Sequence, residues 1–211
     1  MTARRVIIWR HGRTSWNATG RYQGQADIPL DDLGLRQAAA AARVIKELKP
    51  TAIFSSDLSR AAQTSQALAD LTGLEINFDQ RLREINVGSW EGLTHDEAFA
   101  VDPELVAAVD GGEDARRSLT GETTGEVARR AAAAFSDIIE SAEDESTVVI
   151  TMHGTAGRVG VGHYLGIDAD RLGSLRNCAW VVLDRHRRGH WYIGAYNTQA
   201  DFVVPDDDRV A

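Results

Sequence analysis

The sequence predicts an α/β fold, a three-layer α/β/α sandwich on a mainly parallel sheet. Three observations predict it. Two short apolar runs, Val6-Ile7-Ile8-Trp9 and Thr147-Val148-Val149-Ile150-Thr151, both lead into His-Gly, at His11-Gly12 and His153-Gly154. Runs of this length and character read as strands buried on both faces. Strand-like and helix-like segments alternate along the chain, as they do when crossover helices join parallel strands. The last two strand-like segments lie close together around Arg187-Arg188-Gly189, so the sheet is expected to close with an antiparallel edge.

Taken in order, residues 5–10 form the first strand. Thr14 to Leu30, with Asn17, Gly20, Gln23, Gly24 and Pro29, reads as a long loop, and such loops usually serve function. Asp31 is placed to cap a helix running to about Leu48, with Leu33, Ala41, Val44, Ile45 and Leu48 on its apolar face and Pro50 ending it. Ala52-Ile53-Phe54 is a short strand. Ser55-Ser56-Asp57 should cap the next helix, which carries Arg60 in its first turn, turns Leu58, Ala61, Ala62, Leu68 and Ala69 inward, and closes at Gly73. Leu74 to Phe78 is a third strand. Thr94 to Thr120 carries a weak pattern of one or two short helices and a glycine- and charge-rich connection, read as a lid or side insertion (about 94–120). Thr123-Thr124-Gly125-Glu126 is a capping box opening a helix with Val127, Ala131, Ala134, Phe135, Ile138 and Ile139 at helical spacing. A glycine-rich helix follows His153 to Leu165, then the hairpin of 177–184 and 190–196, then an acidic tail at Asp206-Asp207-Asp208. Residues 1–211 are expected to form one domain.

Composition narrows the function. A formal net charge of −8 argues against a nucleic-acid partner. No run approaches a membrane span, and the apolar stretch after Arg4-Arg5 is too short for a signal-peptide core. A single cysteine, Cys178, allows no internal disulfide and fits a reducing, cytoplasmic setting. The chain has no phosphate-binding Gly-Lys-Ser/Thr loop, no Gly-x-Ser-x-Gly elbow and no metal-ligand histidine spacing, so no metal or cofactor is expected.

In a parallel sheet, strands that end in His11 and His153 deliver both imidazoles to one edge, where open α/β sheets bind ligands. Arg10 arrives beside His11, and Arg60 follows the second strand at a helix N-terminus, a source of partial positive charge. Two arginines, two histidines and a helix dipole in an acidic protein suit a dianion such as a phosphoryl group.

The residues carry a resemblance as well. Arg10-His11-Gly12-Arg13-Thr14 with Asn17 resembles the signature of the histidine phosphatase superfamily, the phosphoglycerate-mutase-like proteins. Gly20-Arg21-Tyr22-Gln23-Gly24, Ser55-Ser56-Asp57-Leu58-Ser59-Arg60-Ala61, Leu82-Arg83-Glu84 with Gly88 and Trp90-Glu91-Gly92, and Gly121-Glu122 are similar to its later blocks, in order. The resemblance implies a phosphomonoesterase that needs no metal. In it His11 is the nucleophile, Arg10, Arg60 and His153 hold the phosphoryl oxygens, and Glu84 is the general acid and base. Asn17 and the Gln23-Gly24 segment add donors, and a small phosphorylated metabolite is the partner. The short span from Glu84 to Gly121 favours net hydrolysis over mutase action. Within the family the chain is most similar to the actinobacterial glucosyl-3-phosphoglycerate phosphatases, which points to a sugar or glycerate phosphate. An α-ribazole phosphatase, a broad sugar-phosphate phosphatase and a non-catalytic phospho-ligand-binding protein are the alternatives. Thr155 departs from the glycine usual after the second His-Gly. Family members are often dimers, and the closing hairpin with Trp180 and Trp191 offers an edge for a homodimer.

Overall fold

The computed structural model describes residues 2–201. Its elements are β1 (Arg5–Arg10), α1 (Ser15–Ala18), α2 (Asp32–Lys46), β2 (Ala52–Ser55), α3 (Ser59–Thr72), β3 (Ile76–Phe78), α4 (His95–Val101), α5 (Pro103–Asp110), α6 (Thr124–Ser141), β4 (Thr147–Met152), α7 (Gly154–Leu165), β5 (Trp180–Arg185) and β6 (Trp191–Thr198). The six strands form one mixed sheet in the order β3-β2-β4-β1-β5-β6. The first four run parallel, while β5 and β6 run antiparallel at one side.

Helices cover both faces because the central strands are apolar on both. Ile7 and Trp9 of β1 and Val149 of β4 pack against Ala38, Ala41, Ala42 and Ile45 of α2 and Leu68 and Ala69 of α3. The alternate residues Val6, Ile8, Val148 and Ile150 face Val127, Ala131 and Phe135 of α6 and Ala156 and Val159 of α7. A strand's period of two sends alternate side chains into opposite layers. The glycines of α7 serve packing: a Cβ on Gly160 would lie 2.8 Å from that of Ala131 and 3.0 Å from the Phe135 ring. Gly160 lets α6 and α7 approach closely, while Gly157 and Gly162 lie against Leu175 and the 167–169 backbone.

Local chemistry sets most boundaries where expected. Asp31 caps α2, accepting the Gly34 N–H at 2.7 Å, and Thr123 and Glu126 form the reciprocal box of α6. Gly73 ends α3 at φ 72°, in the left-handed conformation glycine adopts freely. Four expectations are corrected. Val44 is 43% exposed, because α2 turns Ala38, Ala41 and Ala42 inward instead. Ala62 is only part-buried on α3. The third strand is the three-residue β3 at the sheet edge, with Phe78 exposed. Ser55-Ser56-Asp57 does not cap α3: Leu58 is the capping position and makes no side-chain bond, while Asp57 pairs with Arg83. The acidic tail lies outside the described residues.

Candidate active site

β1 and β4 are neighbours in register, with Arg10 opposite Met152, so His11 and His153 leave the same sheet edge side by side. Their ring centroids are 5.1 Å apart. Both are buried, and burial together with the Arg10 and Arg60 charges holds each well below the ordinary imidazole pKa. Both are therefore neutral at neutral pH.

Their hydrogen bonds differ. His11 Nδ1 lies 2.7 Å from the Gly12 carbonyl, which can only accept, so the ring proton sits on Nδ1. Nε2 makes no hydrogen bond to any described residue, so its lone pair is available. His153 Nδ1 accepts from Arg60 Nε at 3.2 Å, which places its proton on Nε2, 2.8 Å from Ser56 Oγ. Both ring nitrogens of His153 are thus engaged.

Arg10 donates through Nη1 to the Leu175 carbonyl, while its buried Nε has no partner. A Cβ on Gly154 would lie 3.3 Å from that Nε, so α7 begins directly against the guanidinium. Burial lowers the pKa of Arg10, with Glu84 opposing. Arg60 is fully buried, and burial pushes it down to about 10 against the pull of Glu84 and Asp27. Its Nη1 and Nη2 donate to the carbonyls of Ala26 and Gly24, each at 2.8 Å. Three of its five N–H groups therefore face protein, and two remain for a ligand.

The 23–26 segment is clamped from its other side, where Glu91 Oε1 accepts the N–H groups of Gln25 at 2.8 Å and Ala26 at 3.1 Å. These two amides, which follow the expected donors Gln23 and Gly24, are thereby occupied. Gly24 sits at φ 52°, where a Cβ would meet Glu91 Oε1 at 2.6 Å, and Gln23 buries an Oε1 with no partner. Asn17 is the third residue of α1 and closes its capping box with Thr14. Its Oδ1 accepts from Thr14 and from Asn177 Nδ2, leaving its own Nδ2 as the free donor.

Glu84 lies at the N-terminus of α7. Its carboxylate accepts the N–H groups of Thr155 at 3.1 Å, Ala156 at 2.9 Å and Ile85 at 2.9 Å. Arg130 holds the Glu84 carbonyl at 2.9 Å and those of Arg81 and Arg83, and it is itself paired with Glu122 at 2.8 Å. At α3, Asp27 takes both the Ser59 N–H and hydroxyl at 2.7 Å. The helix dipole expected to face a ligand is thus met by the protein's own carboxylates at both helices. The positive field at this edge comes from guanidinium groups.

The structure brings Arg10, His11, Arg60 and His153 together, with Glu84 at the adjoining helix end and Asn17, Gln23 and Gly24 on the covering loop. Sequence reasoning missed Ser56, Arg130 and Asn177. Ser56 has the local signature of a helix cap, Arg130 that of a surface helix residue, and Asn177 stands at the start of an expected strand. Trp90, of the Trp90-Glu91-Gly92 block, is fully buried and donates to Asp102 at 2.8 Å. A separate cavity of about 330 Å³, lined by Asp114, Arg117, Arg158 and His163 among others, includes none of the five catalytic candidates.

A sheet edge that gathers two buried imidazoles, one with a free nitrogen, and two guanidiniums is chemically suited to hold a phosphoryl group. The family model described as histidine phosphatase superfamily (branch 1) matches residues 6–199. The glucosyl-3-phosphoglycerate phosphatase of Mycolicibacterium vanbaalenii is 37% identical over 206 residues, covering 93% of this chain and 91% of that protein. A probable phosphoglycerate mutase GpmB of Yersinia pestis is 36% identical over 211 residues, covering 97% and 98%. Among solved structures, mycobacterial glucosyl-3-phosphoglycerate phosphatase with VO3 superposes with a TM-score of 0.84 at 34% identity, covering 93% of this chain and 100% of that one. Phosphoserine phosphatase from Entamoeba histolytica with 3-phosphoglyceric acid gives 0.82 at 28% identity, covering 92% and 97%. The chain belongs to the histidine phosphatase superfamily, and it is a phosphoric monoester hydrolase.

Proposed function

We propose that the protein hydrolyses a small sugar or glycerate phosphate, glucosyl-3-phosphoglycerate first among them, through a phosphohistidine on His11. The observation that carries this reading is the free Nε2 of a buried, neutral His11 whose Nδ1 is tied to Gly12. A neutral imidazole has the lone pair that in-line attack on phosphorus needs. Arg10 and the two remaining N–H groups of Arg60 neutralise the transferring group, the Asn17 amide adds a donor, and His153 adds one when its Nε2–H turns from Ser56 Oγ to a phosphoryl oxygen. Held in place before reaction, each such contact is worth about 10²–10³ in rate. Glu84 acts as the general acid and gives a proton to the leaving alkoxide. It then takes one from the water that cleaves the phosphohistidine, which returns His11 and releases phosphate.

The carboxylate-bearing substrate is supported by the two mycobacterial likenesses, and net hydrolysis over mutase action by the short span from Glu84 to Gly121. The 94–120 segment, with α4 tied to the covering loop by the 3.0 Å Arg21–Glu97 pair, is read as a lid within one domain. A cytoplasmic setting, suggested by the single buried Cys178, belongs to the same reading.

The test is phosphate release in EDTA by the wild type and His11→Ala. The panel is glucosyl-3-phosphoglycerate, α-ribazole 5′-phosphate, 3-phosphoglycerate and an aryl phosphate. Turnover that depends on His11, with the first substrate far ahead, is the expected result. A lead by α-ribazole 5′-phosphate, or a flat profile, overturns the substrate while leaving the chemistry. Isomerisation of 3-phosphoglycerate without phosphate release would make the protein a mutase.

A further inference from the structure

From the contacts of its side chain we infer that Asn177 is a positioning residue: it fixes the tautomer of His11 and the presentation of Asn17. The inference rests on the reading of His11 as nucleophile. Asn177 lies in the connection leading into β5, far from the other site residues in sequence. Its Nδ2 is within 3.3 Å of the His11 carbonyl, 3.2 Å of the Gly12 carbonyl and 3.1 Å of Asn17 Oδ1. An amide nitrogen has two hydrogens, so one is shared between the two carbonyls and the other reaches Asn17.

Each contact has a consequence. The Gly12 carbonyl is the acceptor that keeps the His11 proton on Nδ1 and so leaves Nε2 free to attack. A carbonyl turned away from the ring would let the proton move to Nε2 and block attack. Gly12 is held on both sides of its Cα, its N–H on Thr64 Oγ1 at 3.1 Å and its C=O by Asn177. At Asn17, the bond into Oδ1 decides which side of that amide is donor. With Oδ1 occupied by Thr14 and Asn177, Nδ2 alone is left for a phosphoryl oxygen. Asn177 is itself held, since the neighbouring Cys178 N–H bonds the His11 carbonyl at 3.0 Å and Gln199 donates to the Asn177 carbonyl at 3.0 Å. One side chain therefore aligns a nucleophile and a ligand donor without touching substrate.

The experiment uses the full chain, ¹⁵N-labelled at histidine, as wild type, Asn177→Ala and Asn177→Asp. Asn177→Asp keeps the size but sets a carboxylate against three oxygens. Ring-nitrogen shifts of ligand-free protein report the His11 tautomer independently of activity, assigned by their loss in His11→Ala. Wild type is expected to show Nδ1–H alone, and Asn177→Ala a mixture. The rate of phosphohistidine formation should fall about 10- to 100-fold in Asn177→Ala, the scale of a small misplacement of reacting groups. It should fall further in Asn177→Asp, and KM should rise in both. If Asn177 acts through Asn17, the KM effects of Asn177→Ala and Asn17→Ala will not add. A lowered Tm with tautomer, rate and KM unchanged in both Asn177 variants overturns the inference. Absence of phosphohistidine in the wild type overturns the catalytic reading instead.

Discussion

The chain places the same dipeptide, His-Gly, at the ends of two adjacent parallel strands, yet the two histidines are prepared differently. After His11 the backbone runs into a loop, and a Cβ on Gly12 would lie 2.5 Å from the Gly34 carbonyl, so glycine brings the loop against α2. The Gly12 carbonyl stays beside its own histidine and accepts from Nδ1. After His153 the backbone enters α7 at once, and the His153 carbonyl accepts the Gly157 N–H at 3.0 Å. That ring turns to Arg60 and Ser56. Similar burial and a shared pair of arginine charges thus produce one histidine with a free nitrogen and one with none. The segment after each strand, a loop in one case and a helix in the other, decides the role more than the strand itself.

The largest expected effect separates the two. His11→Ala should lower kcat by at least about 10⁴-fold and abolish the acid-labile phosphoenzyme, as loss of a nucleophile does. His153→Ala should cost about 10²–10³-fold while still forming phosphohistidine, because only a stabilising contact is lost. Rapid quench with a ³²P-labelled substrate distinguishes them. Equal losses with no phosphoenzyme from either would erase the proposed division of labour.

A smaller effect concerns pH and treats the pair alike. Both pKa values are lowered on folding, from 6.5, mainly by burial. The acid limb of kcat/KM should therefore fall below 6.5, since His11 must be neutral to attack. For stability, the unfolded chain binds protons on these rings at a pH where the native state does not. Their share of stability is complete above about 6.5 and is lost as pH falls toward the native values. Tm should decline with acid over that window, and His153→Gln should flatten the decline. A decline unchanged in that variant would show that other groups dominate.

These contrasts also mark how far sequence reasoning reaches. The sheet, its antiparallel edge and the meeting of Arg10, His11, Arg60 and His153 were legible, because strand ends and parallel topology determine where those residues emerge. Glu84 was legible from the resemblance, but its seat on the amides of Thr155 and Ala156 was not, since that contact joins a loop to the first turn of a helix distant in sequence. The same holds for Asp27 at α3, for Asn177, and for Ser56, whose local sequence suggests only a helix cap. Hydrogen bonds between loops distant in sequence leave no periodic trace. Val44 failed for another reason: an alanine-rich helix offers several faces of similar apolarity, and packing chose the one with Ala38 and Ala42.

The smallest effect tests Ser56 directly. Because Arg60 Nε can only donate, His153 Nε2 must carry the proton it gives to Ser56 Oγ. Ser56→Ala removes that acceptor and leaves a buried N–H without a partner, a loss of about 1–3 kcal/mol. The variant should melt earlier than wild type in ligand-free buffer. Inorganic phosphate or vanadate in the pocket supplies an oxygen that Nε2 can use, so a saturating anion should narrow the gap in Tm. If the gap stays constant with anion, His153 Nε2 does not face the phosphoryl site. His153 would then act on the reaction only through Arg60, and the two strand-end histidines would differ in kind as well as in preparation.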